Sequence, residues 1–358
     1  MGQPHGIGIV GLGVISRAYL DVLASHPDAR IVAVADLDAA RAEAVAAETG
    51  ARALTVEQLL ADPEVETVLN LTIPAAHAEI ALGAISHGKD VFGEKPLAAT
   101  LAEARTVMDA AASAGRQVGS APDTVLGTGT QTARAAVDAG LIGRPTSALA
   151  TFVSPGHELW HPAPDFYYRN GGGPLLDMGP YYVSSLVQIL GPVVSVIGAA
   201  SRTRDTRIIA SGPRAGEEIP VEVATHVTGV LEHRDGALST LTVSFDGVRT
   251  AAHPIEIHGE AGTILVPDPN IFDGDVRLLR VGETEWTTLE PSAGYVEGSR
   301  GAGLLDFAAG DRRASGEIAY HALEIMEGVL RAAESGCRVQ IASAPERPTP
   351  VPLTHDWR

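Results

Sequence analysis

One pattern limits what this chain can fold into more than any other: from residue 6 to residue 119, short apolar runs alternate with helical periodicity. Residues 6–10 read as a strand, and in the helix that follows Val14, Ala18, Val22 and Ile15, Tyr19, Leu23 recur at four-residue spacing. Residues 31–35, 65–71, 90–92 and 117–119 read as further strands, with helices at 38–48 and 75–86. Strands that are apolar throughout, separated by helices, predict a parallel sheet covered on both faces, the doubly wound α/β arrangement. At about 150 residues per domain, 358 residues leave room for two or three domains.

After residue 120 the rhythm changes. A helix over 124–139 leads to a strand at 146–152, then to an irregular stretch rich in Pro, Gly and aromatic residues from 154 to 174. A helix over 175–190 ends at Gly191-Pro192. Between 193 and 289 the pattern is strands, clearest at 221–231, 237–245 and 255–258, separated by Asp-Gly or Glu-Ala-Gly turns. Helices at 303–309 and 317–334 follow. The reading is a dinucleotide-binding domain over 1–121 and an α+β domain of antiparallel type over 122–358.

Composition removes several function classes. The chain holds 26 basic and 44 acidic residues, a formal charge of -18, and both halves are acidic, so the positive footprint of a nucleic-acid protein is missing. Cys337 is the only cysteine, which excludes an intrachain disulfide and a cysteine-based metal site and suits a reducing compartment. Met1 to His5 lack the pattern of a secretion signal, and no run of 18 apolar residues follows, so a soluble cytoplasmic protein is expected, with no membrane association. Gly2 fails as a myristoylation site because Gly6 stands where that motif wants Ser or Thr.

Gly11-Leu12-Gly13-Val14-Ile15-Ser16 follows the first strand and opens the first helix, where a dinucleotide site places its glycines. The first glycine permits the tight turn and the second lets the backbone approach a pyrophosphate. Ser16 replaces the third and is small enough for close packing. Asp36, at the end of the second strand, stands where an acid binds the adenosine ribose hydroxyls, which separates this loop from an ordinary strand-turn-helix corner. A carboxylate there repels a 2'-phosphate, so NAD is favoured; NADP stays open because Arg41 lies one helical turn on.

Three further sets of residues carry chemistry. Glu94-Lys95-Pro96 follows the strand at 90–92, at the carboxyl edge where open α/β sheets bind ligands. A free lysine has a pKa of about 10.4, and burial or a cationic neighbour lowers it toward about 7–8, where it exchanges protons; the plainer reading is a surface lysine paired with Glu94. Only Lys89 and Lys95 are lysines among the 26 basic residues, and arginine cannot deprotonate in a protein, but Lys89 shows that a retained lysine alone proves nothing. Gly171-Gly172-Gly173 precede a helix with Asp177 and Tyr181 one turn apart, able to orient a substrate hydroxyl, or else a cap and an interface residue. Finally, 7 of 16 aromatic residues (Phe152, Trp160, Phe166, Tyr167, Tyr168, Tyr181, Tyr182) fall within one stretch that also holds His157 and His161. Such a cluster suits a ligand with apolar faces and hydroxyl edges, as in a sugar ring, or a local core or subunit interface. The two histidines are four apart but flank Pro-rich sequence with no third ligand evident, so no metal site is expected.

Taken together, Gly8-Ile-Val-Gly-Leu-Gly-Val-Ile-Ser16, Asn70-Leu-Thr-Ile-Pro-Ala-Ala-His77, Glu94-Lys95-Pro96 and Asp177-x-Gly-x-Tyr181 resemble the glucose-fructose oxidoreductase, inositol dehydrogenase and MocA family over nearly the whole chain. The resemblance implies an N-terminal Rossmann domain and a C-terminal domain on a large, mainly antiparallel open sheet that often forms the oligomer face, hence a homodimer or homotetramer. It implies proton handling by Lys95, Asp177 and Tyr181; inositol dehydrogenases carry His at the last position, and Tyr points toward the family's sugar oxidoreductases. Cofactor contacts are expected from Gly11, Gly13, Val14, Ile15, Asp36, Thr72, Pro74, His77, Glu94 and Lys95, although His77 also reads as a residue in the first turn of a helix. Substrate contacts are expected from Lys95, His157, Trp160, His161, Tyr168, Asp177 and Tyr181. The implied activity is NAD(P)-dependent hydride transfer with a sugar, polyol or glycoside. The rivals are a glycosidase or epimerase-like enzyme that oxidises its sugar transiently, and a non-catalytic nucleotide sensor.

Overall fold

The computed structural model describes residues 3–357; Met1 and Gly2, on which the lipidation reading falls, lie outside that range, as does Arg358. Its first strands and helices are β1 (His5–Val10), α1 (Ser16–Leu23), β2 (Ala29–Ala35), α2 (Ala39–Thr49), β3 (Arg52–Ala53), α3 (Val56–Ala61), β4 (Thr67–Asn70), α4 (Pro74–Ser86), β5 (Asp90–Gly93), α5 (Leu101–Ala114) and β6 (Val118–Ser120). The six strands form one parallel sheet in the order β3-β2-β1-β4-β5-β6. The order reverses between β1 and β4, and at such a switch point open sheets hold dinucleotides beyond their carboxyl ends. The sheet core is Ile7, Ile9, Val34, Leu69 and Phe92, all fully buried.

Next come α6 (Thr128–Asp138), β7 (Pro145–Val153), α7 (Pro174–Leu190), β8 (Val193–Ser201), β9 (Thr206–Ile208), β10 (Glu218–Pro220), β11 (His226–His233) and β12 (Leu238–Ser244). The chain continues through β13 (Ile255–Gly259), β14 (Gly262–Val266), β15 (Val276–Arg280), β16 (Thr287–Leu289), α8 (Ala302–Ala308), α9 (Gly316–Ser335) and β17 (Val339–Gln340). A nine-stranded sheet runs β16-β15-β14-β13-β7-β12-β11-β8-β17, antiparallel except where β12 pairs with β7 in parallel. Strand β11 alternates half-buried and buried residues along its whole length, the signature of a sheet covered on one face. The covering helix, α7, is almost wholly buried, which is why its sequence reads as a nearly continuous apolar run.

Two compact units result, and they do not follow a single cut in the sequence. The first comprises residues 1–127, 294–320 and 348–358; the second comprises 128–293 and 321–347. The linear boundary expected at 121 ignores the late segments that join the first unit. Their anchors are apolar: Leu304, Phe307, Ala314 and Val351 lie in one core cluster with Ile9, Tyr19 and Phe92. Two local expectations also change. The helix expected over 124–139 breaks into a 3-10 turn at Asp123–Leu126 and α6 after Gly127. The strand expected from 221 begins only at His226, because Val221 instead joins a satellite core with Tyr168, Ile209, Ile219 and Phe245.

Candidate active site

In the first unit the site is built on the carboxyl edge of the parallel sheet. Gly11 follows β1 with φ +92, and a Cβ there would sit 2.7 Å from the main-chain carbon and oxygen of Leu71, so both the conformation and the packing demand glycine. Gly13 is exposed, and a Cβ on it would meet no protein atom within 4 Å; its bareness leaves the turn open to an approaching ligand. Ser16 is buried and ties the turn by donating its hydroxyl to the Gly13 carbonyl at 2.7 Å. Asp36 accepts the Leu12 N–H at 2.7 Å and the Asp38 N–H at 2.9 Å, with the Arg41 guanidinium 3.4 Å away. The acid and the glycine loop are thus one hydrogen-bonded unit. Val14, Leu37 and Ile73, which follow β1, β2 and β4, are exposed apolar side chains at this same edge, a surface that suits the faces of flat rings. A recess of about 440 Å³ beside the loop is lined by Gly13, Val14, Arg17, Arg41 and Val45 among others. These features fit a dinucleotide: a bare turn at a helix N-terminus for the pyrophosphate, and a carboxylate one strand away for ribose hydroxyls.

Lys95 follows β5 on the same edge. It is half-buried, and the Lys95-Pro96 peptide is cis. Glu94 is buried: it takes the Tyr19 hydroxyl on one oxygen at 2.8 Å and the Lys95 main-chain N–H on the other at 3.1 Å. Burial, followed by the nearby Glu94 and Asp123 charges, raises the Tyr19 phenol well above its ordinary pKa, so it remains a donor. Asp123, itself pushed upward by burial, receives the N–H groups of Gly301 and Gly303 and the Arg300 guanidinium. Lys89, by contrast, buries its ammonium against the Asp62 carbonyl at 2.6 Å, a structural use.

His77 departs from its expected role at the cofactor. It is 2% exposed, with Nδ1 2.7 Å from the Pro96 oxygen and Nε2 3.0 Å from the Thr72 oxygen. Its ring joins the loop after β4 to the Lys95-Pro96 turn and has no nitrogen left for a ligand. Thr72 donates its hydroxyl to Asn70 at 2.7 Å, and Pro74 starts α4.

In the second unit, α7 carries Asp177 in its first turn and Tyr181 one turn later. The Asp177 carboxylate lies 2.8 Å from His157 Nε2, a pairing across 20 residues that the spacing of neither residue announces. His157 packs between the Tyr167 and Phe245 rings at 4.4 and 4.5 Å, with Trp160 at 5.2 Å. His161 meets Trp160, Phe166 and Tyr167 in T-shaped ring contacts and accepts the Ala163 N–H on Nδ1 at 3.1 Å. Burial, then the neighbouring His157, lowers its pKa. Among the described residues there is no group of three or more His, Cys, Asp or Glu placed to hold a metal ion. Tyr168 corrects another expectation: it has no exposed surface, and its hydroxyl is spent on Glu158 and on the His157 main-chain N–H, so it builds the site without reaching a substrate. Within this aromatic stretch Trp160 and Phe166 are exposed, at 59% and 48%.

Sequence reasoning missed Arg207. Almost fully buried on β9, it bonds Glu158 at 2.8 Å, the Pro155 carbonyl at 2.9 Å and the Phe245 carbonyl at 3.0 Å, and pairs with Asp246. Its partners lie 38 to 52 residues away in sequence, so no local pattern marks it.

Glycine turn, carboxylate and half-buried lysine on one parallel sheet edge fit a dinucleotide-dependent oxidoreductase. The chain belongs to the glucose-fructose oxidoreductase, inositol dehydrogenase and MocA family: residues 5–121 match its oxidoreductase domain with the NAD-binding Rossmann fold, and residues 130–265 match its C-terminal domain. A 1,5-anhydro-D-fructose reductase from Ensifer adhaerens is 27% identical over 93% of this chain and 98% of its own length. A myo-inositol 2-dehydrogenase from Thermotoga maritima is 28% identical over 72% of this chain and 74% of its own. Among solved structures, levoglucosan dehydrogenase superposes with a TM-score of 0.81 at 19% identity, covering 96% of this chain and 100% of that one, which shows the shared fold. NAD is the family's cofactor.

Proposed function

We propose that the protein is an NAD-dependent dehydrogenase that oxidises a ring hydroxyl of a sugar, polyol or glycoside, or reduces the corresponding ketone. The observation that carries this reading is the Lys95 turn: the chain's one lysine at the ligand-binding sheet edge stands half-buried in the turn that Glu94 and His77 brace. Relatives named as reductases and dehydrogenases of anhydrosugars and inositols support the substrate class.

The roles follow from the chemistry of each group. Gly11, Gly13 and the first turn of α1 hold the pyrophosphate, and Asp36 takes the adenosine ribose hydroxyls. Bound NAD supplies the hydride acceptor. Lys95 removes the hydroxyl proton as the carbonyl forms and returns it in the reverse direction, a task arginine cannot perform. In the second unit, Asp177 accepts and Tyr181 donates hydrogen bonds to substrate hydroxyls. Exposed Trp160 offers an apolar face to a sugar ring.

We place the protein in the cytoplasm, as a homodimer or homotetramer joined through the uncovered face of the nine-stranded sheet. Leu149, Thr240, Val230 and Ile197 form one cross-strand row there, and none of them is buried. Among the described residues no helix is long and apolar enough to cross a membrane. The test of function is a scan of NAD and NADP reduction across aldoses, polyols and glycosides, followed at the NADH absorption band. At least one pyranose or cyclitol is expected to give turnover; NAD binding with no reduction by any member of the panel would contradict the proposal.

A further inference from the structure

We infer that His157 is a positioning residue for the Asp177 carboxylate, held in a single neutral tautomer with its proton on Nε2. The inference rests on the dehydrogenase reading above and adds a residue to its machinery.

The argument starts from the two ring nitrogens. Nε2 lies 2.8 Å from Asp177 Oδ2, and a carboxylate in this contact accepts, so Nε2 carries the proton. Nδ1 is buried and meets no hydrogen-bond partner among the described residues. A second proton there would be a buried donor without an acceptor, which folded proteins avoid. The rings of Tyr167, Phe245 and Trp160 surround the imidazole and fix its plane.

The backbone of the turn is fixed as firmly as the ring. Gly156 has φ +110, and a Cβ there would lie 2.2 Å from Glu158 Oε2 and 2.6 Å from the Tyr168 oxygen, so the turn admits no side chain at this position. Glu158 is held by Arg207 and Tyr168, and the Tyr168 oxygen in turn accepts the His157 main-chain N–H at 3.2 Å. Burying a cation with two carboxylates is a costly way to build a turn. What this network delivers is one imidazole at a fixed angle to one carboxylate. Asp177 is thereby held by a donor whose direction is constant.

The test uses the full-length protein. Nitrogen-15 NMR of the histidine-labelled protein without cofactor should show His157 protonated on Nε2 and bare on Nδ1 at neutral pH, with the preference relaxing toward a mixture in Asp177→Ala. A proton on Nδ1 in the wild type overturns the inference. In turnover assays His157→Phe, which keeps a ring but loses the donor, should lower kcat roughly 10- to 100-fold with NAD affinity unchanged. His157→Gln, which restores an N–H at the same reach, should recover most of that loss. A Phe variant with the wild-type kcat also overturns the inference. If no sugar supports turnover in the wild type, the dehydrogenase reading fails, and the tautomer measurement still decides the assignment of His157.

Discussion

The two halves of the candidate machinery are made of different materials. At the carboxyl edge of the first unit, main-chain groups do most of the positioning: the Gly11 turn against Leu71, the Leu12 N–H on Asp36, the Lys95 N–H on Glu94, and two carbonyls on His77. In the second unit the turn before His157 is set by side chains, with buried Arg207, Glu158 and Tyr168 and half-buried Asp246 linked through hydrogen bonds and ion pairs. A site built on main chain has its constraints close in sequence and therefore reads as a motif. One built on side chains from distant strands leaves no such trace.

That contrast can be broken first at Arg207. Arg207→Met removes the cation and leaves buried Glu158 and half-buried Asp246 without their counter-charge, and should cost about 3–5 kcal/mol. Chemical denaturation checks this, and a loss under about 1 kcal/mol would mean the network is not what fixes the second unit. Next comes acid. Burial holds His321 neutral, with its pKa lowered from 6.5 to about 4, while its Nε2 accepts the Val193 N–H. A histidine kept neutral by folding binds its proton sooner in the unfolded chain. Its contribution is therefore complete above pH 6.5, declines as pH falls toward 4, and is gone below that, to a limit of about 3 kcal/mol. Buried His233, also lowered by burial, adds to the same slope. Unfolding free energies measured from pH 7 to 4 should fall steeply, and less steeply in His321→Gln.

At the first unit's edge, Gly11→Ala forces a positive φ on a residue with a Cβ that meets the Leu71 main chain, and should cost about 2 kcal/mol together with most of the NAD affinity. Thermal unfolding and calorimetric titration with NAD report the two effects. The smallest expected change is at Asp36. Asp36→Ser removes the charge that opposes a 2'-phosphate while Arg41 stays nearby, so the NAD-over-NADP preference should fall by about tenfold, read as a ratio of kcat/KM values. An unchanged ratio would show that the loop, not its acid, selects the cofactor.

Much of the first unit was open to sequence reading. Alternating apolar runs located five of the six strands because buried parallel strands carry that pattern, whereas β3, two exposed residues long, carries none, and the reasons for Gly11 and Asp36 are local. Helix α5 went unnoticed, although Thr100 and Glu103 form a reciprocal capping box at its start, the kind of signal that sequence can supply. The second unit was legible as strands and a buried helix, and the aromatic stretch was recognised as a group. Its internal division of labour was not: Tyr168 and Trp160 look alike in sequence, yet one is wholly buried and the other exposed. Likewise, His157 and Asp177 were each singled out, but their pairing depends on a turn that Arg207 fixes from another strand.

The central claim is that Lys95 is needed for its exchangeable proton and not merely for its charge. Lys95→Arg separates the two, since arginine keeps the cation and cannot give it up. Side by side with the wild type, the variant should bind NAD with an affinity within about threefold and lose turnover by at least about 10²-fold, the scale of general acid-base catalysis. Turnover in Lys95→Arg within twofold of the wild type would contradict the account.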